Sequence, residues 1–171
     1  MSVQELLTTY QHHPRLYQLA DRIVLPGPHE TLLSGLQGSS PAFILAACFS
    51  NQALSAHNHL VICNDAEEAA YFHNTLESIT GALDLFYFPS SYKNSKNFRL
   101  LNPSHVMLRT EALTRLSKKE SSVGELRKKV LVTYPEALLE KVVAPAAYAD
   151  RLIELSVGAT LDVPALLLKL S

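Results

Sequence analysis

The chain has 171 residues, 47% hydrophobic and 18% charged, and its fifteen basic and sixteen acidic side chains leave a formal net charge of −1. That length accommodates one domain with a core, or a domain plus part of another, and the composition excludes a disordered chain. The charge balance excludes a global pull toward nucleic acid, no apolar run approaches the ~20 residues of a membrane span, and the first ten residues lack the basic-then-apolar order of a secretory signal, so a cytoplasmic protein with no membrane contact is expected.

In chain order, Ser2 to Arg22 predicts two short helices broken at Pro14, with Leu6, Leu7 and Tyr10 on one stripe and Leu16, Leu19 and Ile23 on the next. Pro26-Gly27-Pro28 stops the second. Thr31-Leu32-Leu33-Ser34-Gly35 predicts a short strand ending in a glycine turn, and Ala42 to Phe49, apolar on nearly every side, a buried helix. Leu60-Val61-Ile62-Cys63 predicts a strand covered on both faces. Asp65 and Glu68 have the spacing of a helix cap and capping box, and Ala69, Phe72, Leu76 and Ile79 supply the inward face of the helix that Gly81 ends. Leu83 to Phe88 predicts a third strand, Val106 to Leu116 a helix, Val130 to Thr133 a fourth strand and Pro135 to Val142 a further helix. Ser90 to Pro103 and Lys118 to Lys129 read as polar connections, Arg151 to Leu155 as a strand, and Leu161 to Leu170 as a leucine-rich helix. Strands alternating with helices predict an α/β fold: a mostly parallel sheet flanked by helices, with a short helical N-terminal extension.

Ligands in such folds sit at the carboxyl ends of the strands. That edge would gather Gly35 to Ala42, Asn64-Asp65, Pro89 to Ser91 and Tyr134-Pro135. A working phosphate loop needs converging backbone N–H groups, a lysine for the β- and γ-phosphates and a Ser or Thr hydroxyl for Mg²⁺. Here Gly35 and Gly38 take glycine places, Ser39 follows, Ser40 replaces another glycine, Pro41 stands at the lysine position and Ala42 at the Ser/Thr position. Proline donates no N–H and carries no charge, although it is well placed at the start of a helix. The loop keeps a shape and loses its chemistry, or is simply a turn and helix cap; both readings predict no catalytic residue and no nucleotide hydrolysis there. Asp65 follows a strand as a Walker-B acid would, but the helix cap accounts for it together with Glu68.

Tyr92, Lys93, Lys96, Phe98 and Arg99 interleave charge with aromatics, as single-stranded nucleic-acid grips do. The alternative is a solvated loop whose aromatics fold back on the core. His12-His13 and His57-Asn58-His59 have no further ligand at metal spacing, so no metal is expected, and Cys48 and Cys63 read as buried thiols.

Four segments in order resemble the N-terminal domain of the bacterial transcription-repair coupling factor (Mfd), itself similar to the first domain of UvrB: Leu33 to Ser40 with its apolar helix, Leu60 to Ala69, Phe86 to Pro89 followed by Arg109 to Leu116, and Val130 to Leu139. The likeness spans about residues 32–157. In UvrB the equivalent loop is intact and binds ATP, so the disabled loop favours the coupling factor. The resemblance implies an N-terminal helical extension over 1–30, a UvrB-like α/β domain of the P-loop or helicase-like kind over 31–157 and, over 158–171, the start of a following domain that would carry most of the UvrA-binding surface. It further implies a non-catalytic module with no cofactor of its own. The whole protein would displace stalled RNA polymerase from DNA lesions by translocating on double-stranded DNA, with ATP and Mg²⁺ in a separate motor, and would recruit UvrA for nucleotide excision repair. The chain departs from the family after the third strand, where a Trp-Glu-x-Leu-Pro-Tyr-type stretch is replaced by Ser90 to Arg99, Ser104 takes an acidic place, and no tryptophan occurs. Two other readings stay open: a helicase-like nucleotide- or DNA-binding domain of another DNA-processing enzyme, and an unrelated small α/β protein ending at Ser171.

Overall fold

The computed structural model describes residues 2–49, 58–81, 84–92, 100–117, 129–144, 153, 158, 160 and 162–170. The chain divides into two units, 1–141 and 142–171.

The first unit opens with two helices, α1 (Val3–Gln11) and α2 (Pro14–Ile23). Ser2 caps α1 through a reciprocal box: its Oγ accepts from Glu5 N at 3.2 Å, and its own N donates to Glu5 Oε2 at 2.7 Å. His13 caps α2, whose first residue is Pro14. A proline there loses no helical hydrogen bond, which is why the break falls where the sequence places it. Helix α3 (Ser40–Phe49) is apolar enough to be buried on most sides, with Ala42, Phe43, Ala46, Ala47, Cys48 and Phe49 all buried. Tyr10 stacks on Phe43 with ring centroids 5.4 Å apart, and Leu7 joins the same core, so α1 is packed into the sheet's own unit. Ala20 and Cys48 form a smaller cluster with Leu16 and Leu19 that fastens α2.

Three parallel strands follow: β1 (His59–Ile62), β2 (Asp84–Tyr87) and β3 (Lys129–Thr133), in the order β1-β3-β2. Helix α4 (Ala66–Thr80) links β1 to β2, and α5 (Pro103–Ser117) links β2 back to β3. The direction of travel across the sheet therefore reverses, and right-handed crossovers then place the two helices on opposite faces. The packing agrees. Ala69, Leu76 and Ile79 of α4 share one core with Val130 and Val132, whereas Ala112 of α5 packs against Phe86 and Phe88 on the other side. A short α6 (Pro135–Leu139) closes the unit's helices; α7 (Val163–Leu170) lies in the second unit.

Three expectations need correction. Residues 31–34 form no strand: they have no ladder, and Leu32 is 89% exposed. A strand requires a hydrogen-bonding partner and a buried face, and this segment has neither. The sheet consequently has three strands among the described residues. Strand β1 is also not covered on both faces, because Leu60 and Ile62 are each 55% exposed. It lies at the edge away from β2, whose outer face is the one α5 covers. The helix expected from Pro135 to Val142 ends at Leu139, and the strand expected over Arg151 to Leu155 falls almost wholly outside the described residues.

Candidate functional site

Residues 35–42 turn into α3 with Gly35 and Gly38 at φ 78° and 54°, the left-handed region that glycine enters without strain. Ser40 folds its hydroxyl back onto the backbone of Gln37, donating to the carbonyl and accepting from the N–H. Pro41 is the second residue of α3, and Ala42 is buried at 1% exposure. Neither offers a charge or a ligand atom.

The segment splits between two hollows. Gly35 faces a groove beside α1 and α2. Gly38, Ser39, Pro41 and Ala42 line a cavity of about 240 Å³ with Asn64 and Glu68. There, Ser39 Oγ meets Tyr71 Oη at 3.0 Å. The capping expectation holds, with Asp65 Oδ1 accepting from Glu68 N at 2.9 Å. Glu68 does not reach back to the N–H of Asp65; its Oε2 accepts from both N and Nδ2 of Asn64, each at 2.7 Å. Cys63, on the same cavity, has its thiol pushed up to about 11 by burial and then by the charges of Glu68 and Asp65. A phosphate entering here would meet no lysine at Pro41 and would face the Glu68 carboxylate on the same cavity wall. That carboxylate adds a repulsion for phosphate to the missing lysine.

The rest of the strand edge is densely bonded. Arg109 of α5, 5% exposed, donates through Nη1 to the carbonyls of Pro89 (2.8 Å) and Ala137 (3.1 Å). Its Nε pairs with Glu140 Oε1 at 3.5 Å, and its guanidinium lies 4.0 Å from the Phe88 ring centroid. Arg109 Nη2 is buried and makes no hydrogen bond. Glu140 Oε2 accepts from Ser91 N (2.8 Å) and Ser90 Oγ (3.1 Å). Tyr134 Oη accepts from Ser90 N at 2.8 Å, His105 Nδ1 lies 2.8 Å from Ser90 O, and Thr133 Oγ1 donates to Phe88 O at 2.8 Å. Burial alone would raise the Glu140 carboxyl, but the hydrogen bonds from Ser91, the Arg109 charge and the Ser90 hydroxyl together hold it below its ordinary value. Burial pulls the Arg109 guanidinium down, with Glu140 pushing back, and pushes the Tyr134 phenol up. With both of its oxygens engaged, Glu140 is a clamp on Ser90 and Ser91 and poorly placed to act as a base.

Of the sequence-predicted edge groups, Gly38, Ser39, Pro41 and Ala42 share the small cavity with Asn64, and Pro89 to Ser91 meet Tyr134 in the bonded cluster. Tyr92 forms an isolated antiparallel bridge with Leu101, while Lys93, Lys96, Phe98 and Arg99 lie outside the described residues. Arg109 and Glu140 were not singled out by sequence reasoning as site residues. The signal for Arg109 was present: a charge at the position that, with Ala112, Leu113 and Leu116, continues the apolar face of its helix. Cys48 and Cys63 are both buried and form no disulfide. Among the described residues no group of three or more His, Cys, Asp or Glu could hold a metal ion, and no helix is long and apolar enough to cross a membrane. Comparison with protein-family models, curated proteins and solved structures finds no match to this chain.

Proposed function

We propose that the chain is a non-catalytic, UvrB-like α/β module of a transcription-repair coupling factor, working by contact inside a larger DNA translocase. The observation that carries this reading is the start of α3. Pro41 and the buried Ala42 occupy the two positions where a phosphate loop needs lysine and a hydroxyl, and Glu68 faces the same cavity. The parallel three-stranded sheet with helices on both faces is compatible with such a module. On this reading ATP and Mg²⁺ belong to the motor of the whole protein, and UvrA, RNA polymerase and double-stranded DNA are partners of the whole.

The test is nucleotide chemistry on the purified chain. It should neither hydrolyse ATP nor bind it saturably by calorimetry. The double substitution Pro41→Lys/Ala42→Thr should still fail to bind ATP, because Glu68 remains. Hydrolysis that disappears in Gly38→Val would overturn the reading. Tight single-stranded DNA binding with a steep salt dependence would favour a helicase-like DNA-binding domain instead.

A further inference from the structure

A groove of about 840 Å³ runs between α2 and residues 31–36, entirely within the first unit. Its walls include Leu16 and Leu19 from α2 and Leu33 and Leu36 from the facing segment. Leu32, 89% exposed, also lines it. Every residue from 24 to 38 is exposed, so apolar side chains stand in solvent along a whole segment and not singly.

The groove also carries a charge pattern. Arg15 and Arg22 both line it, and neither is in an ion pair among the described residues. They stand seven residues apart on α2, which at 1.5 Å per residue is about 10.5 Å, two helical turns. Asp21 and Glu30, the acidic residues of the neighbouring sequence, do not line it. An apolar trough edged by two unpaired cations at helical spacing matches one ligand chemistry closely. We propose that this groove docks an acidic amphipathic helix of a partner protein, whose apolar face fills the leucine trough and whose carboxylates, two turns apart, pair with Arg15 and Arg22. The sheet edge takes no part in this, so the inference stands or falls separately from the coupling-factor reading.

The test uses the full chain and a fluorescein-labelled synthetic helix of about fourteen residues, with leucines on one face and two glutamates seven residues apart. Anisotropy should show saturable binding that weakens with added salt and falls about tenfold in Arg15→Glu/Arg22→Glu. A second peptide with lysines in place of the glutamates should reverse the preference, binding the double variant better than the original chain. Absence of binding, equal affinity for both peptides, or an affinity unchanged in the double variant would overturn the proposal. So would co-sedimentation with phosphatidylserine vesicles that the acidic peptide does not compete away, which would assign the groove to a lipid surface. A concentration-dependent dimer abolished by Leu32→Asp/Leu33→Asp would instead assign it to a second copy of this chain.

Discussion

The two halves of the strand edge are built to different standards. At the start of α3 the polar contacts are local or lie on open surface: Ser40 bonds its own turn, and Ser39 touches Tyr71 across a cavity. Some way along the same edge, Arg109, Glu140, Ser90 and Tyr134 join α5, the residues after α6 and the loop after β2 in one partly buried network. The half whose sequence looks like a catalytic loop is loosely organised, and the half that looks unremarkable is tightly bonded. The turn into α3 is closed by its own residues, whereas a sheet edge from which three loops depart has to be tied wherever it is.

The strongest way to break that contrast is Arg109→Ala. The substitution orphans two carbonyls and leaves Glu140 unpaired in a largely buried position, and should cost about 3 kcal/mol in urea unfolding. A loss below about 1 kcal/mol would mean the cluster is no more than a surface ornament.

Glu140 sharpens the contrast through pH. Its carboxyl titrates below the ordinary 4.5 in the folded chain. Its contribution to stability is therefore complete above that pH and is lost as pH falls through the lower folded value. The chain with Glu140→Gln should lose less stability than the original on acidification below pH 4.5; parallel acid profiles would show that Glu140 is not held by its neighbours.

The smallest effect belongs to the loose half. Ser39→Ala should change stability by no more than about 0.5 kcal/mol, and a larger loss in the same urea titration would show the start of α3 to be as firmly built as the Arg109 cluster.

Much of the scaffold was readable because its signals are local. Pro14 divides two helices, Asp65 caps α4 and Gly81 ends it at φ 71°, each through chemistry confined to a few residues. The failures lie where the answer depends on what is far away in sequence. Leucines 32 and 33 look like a strand, but a strand exists only with a partner, and no local pattern reveals that none is available. Leu60 and Ile62 look doubly buried, yet which edge a strand takes is decided by the order of the sheet. The Arg109 cluster was missed for the same reason, since its partners Pro89, Ala137 and Glu140 come from separate elements. The lack of a lysine and a hydroxyl at positions 41 and 42 is readable in the sequence, but the carboxylate of Glu68 on the same cavity becomes visible only once α4 is placed against α3.

The order β1-β3-β2 carries a consequence for how the chain is made. The central strand is the last of the three to be synthesised, and among the described residues β1 and β2 pair only with it. Neither has its ladder until Thr133 has left the ribosome, about 70 residues after His59. At roughly 5–20 residues per second that is a wait of about 4–15 s. Throughout it, two apolar strands must be kept from other partners by the early helices, and the stacking of Tyr10 on Phe43 can form long before the sheet does. The N-terminal helices thus fall in the right place in the chain to shelter an unfinished sheet.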